Sequence, residues 1–187
     1  ESAFYKTMKA SKHSQGHLLE KDISAIFVDR KNNLWLGGSN TGLYHKKIDS
    51  DSQVNGPLTH YQQHLSSIFN LPTPDVRLFF EDSQGRYWIG TRYNGVYKIA
   101  KNQQSGKLNR VHYKKAIVDE FGSVSSNWND VIFEDAQKNI WLGNQRAIYL
   151  YDENLDKFIQ AEFSDSSSFE GEFPTVKVIH QFNNIVL

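Results

Sequence analysis

Short apolar stretches alternate with polar turns along the whole chain. The stretch 23–28 is rich in β-branched and aromatic residues, a polar turn follows at 29–33, and a second apolar stretch reads Leu34-Trp35-Leu36-Gly37. β-branched and aromatic residues favour strands, and turns rich in Asp, Asn and Gly favour hairpins. The pattern therefore predicts strand–turn–strand units.

The same phrase occurs three times at a constant period. Trp35, Trp88 and Trp141 lie 53 residues apart, from 35 to 88 and from 88 to 141. An aspartate stands six residues before each tryptophan and a glycine two residues after it: Asp29 and Gly37, Asp82 and Gly90, Asp135 and Gly143. Self-similarity at a period of about 50 residues indicates a repeat architecture.

Each repeat has room for four strands. After the tryptophan strand come a short turn and a strand such as Gly42-Leu43-Tyr44, and then a more polar strand that carries His60-Tyr61 or His112-Tyr113. Four short strands in about 50 residues make one β-propeller blade. A β-sandwich gives no reason for a fixed period, and solenoid coils are shorter. We predict an all-β fold, a β-propeller fragment of about three complete four-stranded blades with partial blades at both ends.

The repeats set the expected boundaries. They cover about 23–63, 76–115 and 131–163, a truncated repeat starts at 176, and 1–22 ends a preceding blade. The chain thus resembles an excerpt of a longer array whose remaining blades would be its neighbours. Because an open ring leaves strand edges exposed, we expect a homo-oligomer, and two copies joined head to tail would give about eight blades.

The second repeat carries a family resemblance. It runs Phe80-Glu81-Asp82-Ser83-Gln84-Gly85-Arg86-Tyr87-Trp88-Ile89-Gly90-Thr91, and continues with Asn94-Gly95-Val96-Tyr97. This pattern resembles the repeat of the two-component regulator propeller family. The other copies depart from it, with Asn33 and Asn139 aligned at the turn glycine and Gly38 and Asn144 in place of Thr91.

The resemblance implies a place in signalling. Such propellers usually form the periplasmic, extracytoplasmic sensor region of bacterial hybrid two-component proteins of the inner membrane. A membrane helix and a histidine kinase often follow, and in some proteins a diguanylate cyclase replaces the kinase. Family sensors are often paired with the detection of glycans. No kinase residue is transferred onto this chain.

Composition excludes several other classes. Lysine and arginine number 21, as do aspartate and glutamate, so the formal net charge is zero, which argues against a nucleic-acid partner. Cysteine is absent, which excludes disulfides, thiolate nucleophiles and cysteine zinc sites. No apolar run is long enough to span a bilayer, so we expect no direct membrane insertion of this segment.

The candidate chemical groups favour structural roles. The recurring carboxylates belong to successive repeats, whereas a glycosidase needs two that converge on one bond; turn capping is the simpler interpretation. The repeat tryptophans are expected in the core between blades rather than in a sugar platform. The pairs His13/His17 and His60/His64 lie on strands and loops, where that spacing makes no metal site. We predict no catalytic residue, no metal and no cofactor.

A binding surface is predicted where two kinds of loop share one face of the blades. The turns between second and third strands, such as 39–41 and 92–94, lie beside the long loops 63–75, 116–130 and 164–175. Long loops often carry function. These contain Phe69, Phe121, Trp128 and Phe169, which we expect either to be exposed for binding or to pin the loops down. The candidate ligand-binding residues, suited to a neutral or acidic sugar or another small ligand, are Arg92, Tyr93, Asn94, Gln145, Arg146 and Trp128.

These observations favour a non-catalytic sensor of an extracytoplasmic ligand such as a glycan, in a protein of the sensor histidine kinase type. Alternatives are a dimerisation or protein-interaction scaffold, and the sensor of a diguanylate cyclase. A propeller-fold carbohydrate-active enzyme lacks support from any acid/base pair, and fold alone does not imply function.

Overall fold

The computed structural model describes residues 22–48, 58–61, 66–113, 129–144 and 147–161, together with the backbone of 181–182 and 185–186. The elements within these ranges are all strands. The chain forms two compact units, residues 1–76 and 77–187. In the described residues the first unit has one four-stranded antiparallel sheet and the second has two, and the predicted all-β propeller fold class is confirmed.

The first sheet follows the first repeat. Its strands are β1 (Ile23–Val28), β2 (Asn33–Gly38), β3 (Gly42–Lys47) and β4 (Thr59–His60), paired in chain order. The tryptophan strand lies second, with Trp35 opposite Phe27 on one side and His45 on the other. Since each strand pairs with its sequence neighbour, the sheet is a simple meander.

The second and third sheets repeat this plan. The second consists of β5 (Val76–Glu81), β6 (Tyr87–Thr91), β7 (Val96–Lys101) and β8 (Leu108–Tyr113). The third consists of β9 (Asn129–Glu134), β10 (Ile140–Asn144), β11 (Ile148–Asp152) and β12 (Lys157–Gln160). Equivalent registers recur, because Trp88 lies opposite Lys98 and Trp141 lies opposite Leu150.

A short strand pair stands near the end of the chain. The strands β13 (Gln181–Phe182) and β14 (Ile185–Val186) are antiparallel, with Gln181 opposite Val186. They fall within the truncated repeat predicted from 176. The preceding blade expected at 1–22 and most of the loops 116–130 and 164–175 lie outside the described residues, as do His13, His17, His64, Phe121 and Phe169.

The first hairpin turn of each sheet corrects one alignment made from the sequence. The residues with positive φ in these turns are Asn32 (56°), Gly85 (75°) and Lys138 (71°), each three residues after the aspartate. Asn33 and Asn139, aligned with the turn glycine above, follow one residue later. That alignment was wrong because the left-handed position is defined by backbone geometry and tolerates asparagine and, at a cost, lysine.

Two of the repeat glycines are required by close packing. A Cβ on Gly37 would lie 2.5 Å from Val76 Cγ1, and one on Gly90 would lie 2.5 Å from Leu78 Cγ. Real Cβ atoms do not approach so closely. Gly37 therefore leaves room for Val76, on the first strand of the next sheet, and Gly90 leaves room for Leu78, on the first strand of its own sheet.

The core of the second unit lies between its two sheets. Trp88 is fully buried and packs edge-on against Tyr151 and Phe158 of the third sheet, at centroid distances of 4.9 and 5.6 Å. Tyr113 of the second sheet completes this group. Aromatic side chains of both sheets thus meet in the core between the second and third sheets.

Candidate functional site

The end of each sheet that carries the turn between its first and second strands is called here the clasp end. In the first sheet, Asp29 Oδ1 accepts hydrogen bonds from the backbone amides of Lys31 (2.9 Å) and Asn33 (2.8 Å). Its Oδ2 accepts from Trp35 Nε1 at 2.9 Å. One carboxylate therefore closes the turn and fixes the tryptophan.

The clasp recurs in the other two sheets. Asp82 Oδ1 accepts from two turn amides and its Oδ2 from Trp88 Nε1 at 2.8 Å. Asp135 does the same, with Trp141 Nε1 at 2.8 Å. Because both oxygens of each carboxylate are engaged in local structure, these aspartates offer no free base for catalysis.

Hydrogen bonding governs the pKa values of two clasp carboxyls. Burial alone would raise the pKa of Asp29, but hydrogen bonds from Trp35, Asn33 and the turn amides outweigh it, and the pKa is lowered from its ordinary 3.8. The pKa of Asp135 is lowered in the same way, burial being outweighed by Trp141 and Asn139. Both groups are therefore held in the charged form.

In the second sheet the clasp also reaches the third. Arg86 replaces the asparagine of the other repeats, and its Nε donates to Asp82 Oδ2 at 2.5 Å. Its Nη1 donates to Glu153 Oε1 of the third sheet, also at 2.5 Å. The guanidinium lies 5.3 Å from the centre of the Trp88 ring. Arg86 thus joins a turn, a core aromatic and the neighbouring blade.

A second polar bridge between these sheets is built around Lys98. Its Nζ donates to Asp156 Oδ1 (2.5 Å) and to the hydroxyl of Tyr151 (2.6 Å). The ammonium also lies within 6 Å of the ring centres of Trp88, Tyr113 and Tyr151. This aromatic surrounding suits a cation, and here the lysine of the same chain occupies it.

The pKa values of the groups in this bridge are set by burial and by their hydrogen bonds with Asp156. Burial, followed by the hydrogen bond to Asp156, raises the pKa values of Tyr113 and Tyr151 well above the ordinary range. Burial would raise the pKa of Asp156, but hydrogen bonds from Lys98, Tyr113 and Tyr151 lower it instead. The cluster is therefore a stable pairing of neutral phenols, an anion and a cation, which identifies it as a structural bridge.

The opposite end of each sheet, which carries the turn between second and third strands, is called here the variable end. In the second sheet, Thr91 braces this turn from within. Its hydroxyl donates to the carbonyl of Gly95 (2.8 Å) and accepts from the amide of Asn94 (2.9 Å). Asn144 has the same task in the third sheet, where its Oδ1 accepts from the amide of Ala147 at 2.9 Å.

An outer-strand histidine fixes the variable end from the side. His112 stacks on Tyr97 with ring centres 4.3 Å apart, and its Nε2 donates to the carbonyl of Asn94 at 2.6 Å. In the first sheet His60 stacks on Tyr44 at 4.1 Å and donates to the carbonyl of Thr41 at 2.9 Å. The repeated His-Tyr phrase is thus explained by turn support.

The braced turn of the second sheet presents Tyr93 to solvent. The Tyr93 side chain is 58% exposed, an unusual fraction for an aromatic residue. Arg92 lies beside it, with its guanidinium carbon 5.0 Å from the ring centre. Asn94 is turned inward, and its Nδ2 donates to the hydroxyl of Tyr97 at 2.6 Å. The turn therefore offers one aromatic face and one guanidinium on a rigid support.

Charged side chains of the first strands lie at the same end of the second unit. Arg77 of β5 and Asp130 of β9 form a loose ion pair, with Nη2 3.7 Å from Oδ1. Next to it, Asn129 Nδ2 donates to the carbonyl of Thr91 at 3.3 Å, which joins β9 to the braced turn. The structure thus adds Arg77 and Asp130 to the polar groups expected at this end.

The structure describes only part of the predicted site. It places Arg92, Tyr93 and Asn94 together on one turn, whereas Gln145, Arg146 and Trp128 lie outside the described residues. The expectation that Phe69 is exposed for binding was wrong. Phe69 is buried against Trp35, 4.8 Å between ring centres, and pins its loop to the first sheet, as the alternative interpretation had it.

The described residues lack two further features. They contain no group of three or more histidine, cysteine, aspartate or glutamate residues placed to hold a metal ion. Nor do they include a helix with the length and hydropathy needed to cross a membrane.

Comparison with known proteins identifies the repeat. The family model described as "Two component regulator propeller" matches residues 17–40 and 70–93. A curated relative, Histidine kinase P4 of Formosa agariphila, is 27% identical over 160 residues, which is 81% of this chain and 11% of the relative. The chain thus spans about a tenth of that protein's length.

Solved structures support the fold. The extracellular domain of a hybrid two component system protein from B. thetaiotaomicron matches with a TM-score of 0.58 and 18% identity, covering 93% of this chain and 21% of that one. An inactive variant of virginiamycin B lyase from Staphylococcus aureus, solved with quinupristin, matches with a TM-score of 0.52 and 16% identity, covering 84% of this chain and 46% of the lyase. One of these two proteins is an enzyme, so the shared architecture does not decide activity.

The family match agrees with the Asp–Trp–Gly phrase, its period and the four-stranded sheets. Residues 17–40 and 70–93 thus match the repeat of the two-component regulator propeller family, and the described sheets have the fold of propeller blades.

Proposed function

We propose that this chain is a non-catalytic, ligand-sensing propeller segment of a bacterial hybrid two-component sensor protein. The family match and the similarity to a histidine kinase support this proposal. The whole protein would carry the segment on the extracytoplasmic, periplasmic side of the inner membrane and a histidine kinase as its output. A diguanylate cyclase in place of the kinase is the alternative output.

The observation that carries the sensing role is the exposed Tyr93 beside the half-buried Arg92 on a braced turn. Thr91, Asn94 and His112 hold the turn by hydrogen bonds, so the aromatic face loses little conformational freedom on binding. An aromatic face beside a guanidinium suits a glycan, which stacks its C–H face on the ring and accepts hydrogen bonds from arginine. The predicted Gln145, Arg146 and Trp128 would complete the surface, while Asn94, which is turned inward, supports the turn from within.

The signal would be passed mechanically. A ligand can shift a conformational equilibrium only by its difference in affinity for the two states. Binding at the variable end would favour one arrangement of blades and of the dimer, and the domain that follows the propeller would respond to it.

The test is a thermal-shift screen of the 187-residue chain against cellobiose, laminaribiose, xylobiose and digalacturonate. A ligand that binds the native state must raise the melting temperature. We expect at least one sugar to raise that of the wild type and Tyr93→Ala to abolish the rise. Leu155→Ala is the matched control, because Leu155 is equally exposed (57%) but lies in the β11–β12 turn of the third sheet. A full response from Tyr93→Ala would contradict the proposed surface.

A scaffold role is the second candidate, and exposed apolar side chains favour it. Ile26 and Val28 of β1 are 70% and 48% exposed, and Ile159 of β12 is 42% exposed. Such residues suit contact with further blades or with a second copy. Light scattering tests this: a homo-oligomer without any sugar response would favour the scaffold, and a monomer would oppose it.

A further inference from the structure

The outward face of the third sheet differs from the corresponding face of the second. In the second sheet, Trp88 lies opposite Lys98, and residues of the third sheet cover both. In the third sheet the same row across the strands reads Trp141, Leu150 and Ile159, and Ile159 is 42% exposed. The third sheet therefore presents an apolar row that carries no cation.

Two further polar groups of the second sheet are replaced on this face of the third. Arg86, which donates to the next sheet, is replaced by Asn139, whose side chain bonds within its own turn. Tyr113, whose hydroxyl also donates to the next sheet, is replaced by Ala161. A partner of this face therefore needs no acid, and an acid placed there would be buried without a donor.

The first sheet has a face without acids at the matching positions. The third sheet contacts the second through two glutamates, Glu134 and Glu153. The equivalent positions of the first sheet hold Val28 and Ile48, and Val28 is 48% exposed. Ile26, two residues earlier on the same face of its strand, is 70% exposed. The first sheet therefore offers the acid-free face that the third sheet requires.

We propose that the first sheet of a second copy of this chain docks on the third sheet. The contact is head-to-tail and repeats the arrangement of the second and third sheets, with apolar residues in place of the ion pairs. It buries Ile26 and Val28 of one copy together with the row of Trp141, Leu150 and Ile159 of the other. This inference deepens the scaffold candidate, on which it rests, and is independent of sugar binding.

One cation changes sides in this contact. Between the second and third sheets, Lys98 and Tyr151 both lie near the ring of Trp88. In the contact between copies, the equivalent pair is Leu150 of one copy and Lys46 of the other. A single cation suits an indole face, whereas a second cation at the position of Leu150 would repel the first. The two faces are thus complementary in charge as well as in apolar character.

The experiment measures the molar mass of the 187-residue chain by light scattering over a range of concentrations. We expect wild type to exceed the 21.6 kDa of one chain. Leu150→Lys should weaken association at least about a hundredfold, as for a buried charge without a partner, and Ile26→Lys should do the same from the other face. Leu155→Lys is the control. Leu155 is 57% exposed in the β11–β12 turn, so this variant should associate like wild type.

A mixture of the two disruptive variants tests which faces pair. The Leu150→Lys chain keeps an intact first sheet, and the Ile26→Lys chain keeps an intact third sheet. An equimolar mixture should therefore form a dimer that neither variant forms alone, because a head-to-tail contact uses two different faces. Association of the mixture also shows that both variants fold.

Three results would overturn the inference. A monomeric wild type would remove both the contact and the scaffold candidate, and would leave residues 162–187 of the same chain as the occupant of the third-sheet face. An oligomer that both variants retain would overturn this contact while the scaffold candidate stands. Variants that stay monomeric when mixed would exclude head-to-tail pairing. The sensing proposal is tested separately by its sugars and is untouched by these results.

Discussion

The two ends of the sheets follow different rules. At the clasp end, all three repeats make the same bonds from one aspartate to two turn amides and a tryptophan nitrogen. At the variable end, the turn residue is Gly38 in the first sheet, Thr91 in the second and Asn144 in the third, and the side chains beside it differ each time. A unit that is repeated for its fold can thus keep one end constant while the other end changes from repeat to repeat.

The largest expected effect comes from removing a clasp. Asp82 is fully buried, and Asp82→Ala leaves the Arg86 guanidinium and Trp88 Nε1 without that acceptor. We expect a loss of about 3–5 kcal/mol in the free energy of unfolding, as for other broken buried pairs. Urea unfolding measures it. Asp22→Ala, at an exposed carboxylate, should stay within about 0.5 kcal/mol of wild type, and equal losses in the two variants would contradict the clasp.

The bridge between the second and third sheets should give a smaller effect. A double-mutant cycle with Lys98→Met and Asp156→Asn should return a coupling energy of about 1 kcal/mol, since half of the Asp156 side chain is exposed and solvent screens the pair. The exposed Lys101 on the same strand is the control. Its cycle with Asp156 should show no coupling, and a coupling as large as that of Lys98 would refute the bridge.

Acid should weaken the clasps in a defined pH range. The carboxyls of Asp29 and Asp135 have pKa values below 3.8 in the folded chain, so the unfolded chain binds protons first. Their contribution to stability is therefore complete above about pH 5 and is lost as the pH falls through the folded pKa values. Urea midpoints measured from pH 7 to pH 2 should decline below about pH 4. The deficit of Asp135→Asn relative to wild type should shrink there, and a constant deficit would contradict this origin.

The smallest expected effect concerns the left-handed residue of the clasp-end turn, which is a lysine in the third sheet and a glycine in the second. Lys138 has a φ of 71° where Gly85 has 75°, and a left-handed conformation costs a residue with a Cβ about 1 kcal/mol. Lys138→Gly should relieve this cost, less the entropy that glycine adds to the unfolded chain, and raise the free energy of unfolding by up to about 1 kcal/mol. Lys107→Gly, at an exposed position without positive φ, should not stabilise. Chemical denaturation of both variants would decide.

The sequence predicted the parts that repeat. The six-residue step from aspartate to tryptophan gave the turn, the two strands beside it and the period, and these decide the fold. The turn-glycine alignment failed because adjacent asparagines, Asn32 and Asn33, allow two alignments in the first repeat, and nothing in the third marks Lys138 as left-handed.

Contacts between sheets could not be predicted from the repeat pattern of the sequence. Lys98, Tyr113, Tyr151 and Asp156 meet through tertiary packing, and their spacing does not recur in the other repeats. The Arg77–Asp130 pair was missed for the same reason. A sign of the bridge was nevertheless present, because the position opposite the tryptophan holds histidine, lysine and leucine in turn. Such variation beside a constant core residue suggests a neighbour-specific role.

The Arg86–Glu153 contact makes the order of the blades matter. Arg86 belongs to one repeat and Glu153 to the next, and the first and third repeats have asparagine where the second has Arg86. If the second and third repeats exchanged places, Glu153 would no longer follow the blade that carries its arginine. Repeats with the same fold are therefore not interchangeable. A recombination event that changed their order would lower the stability of the fold, because the buried guanidinium would lose one of its acceptors.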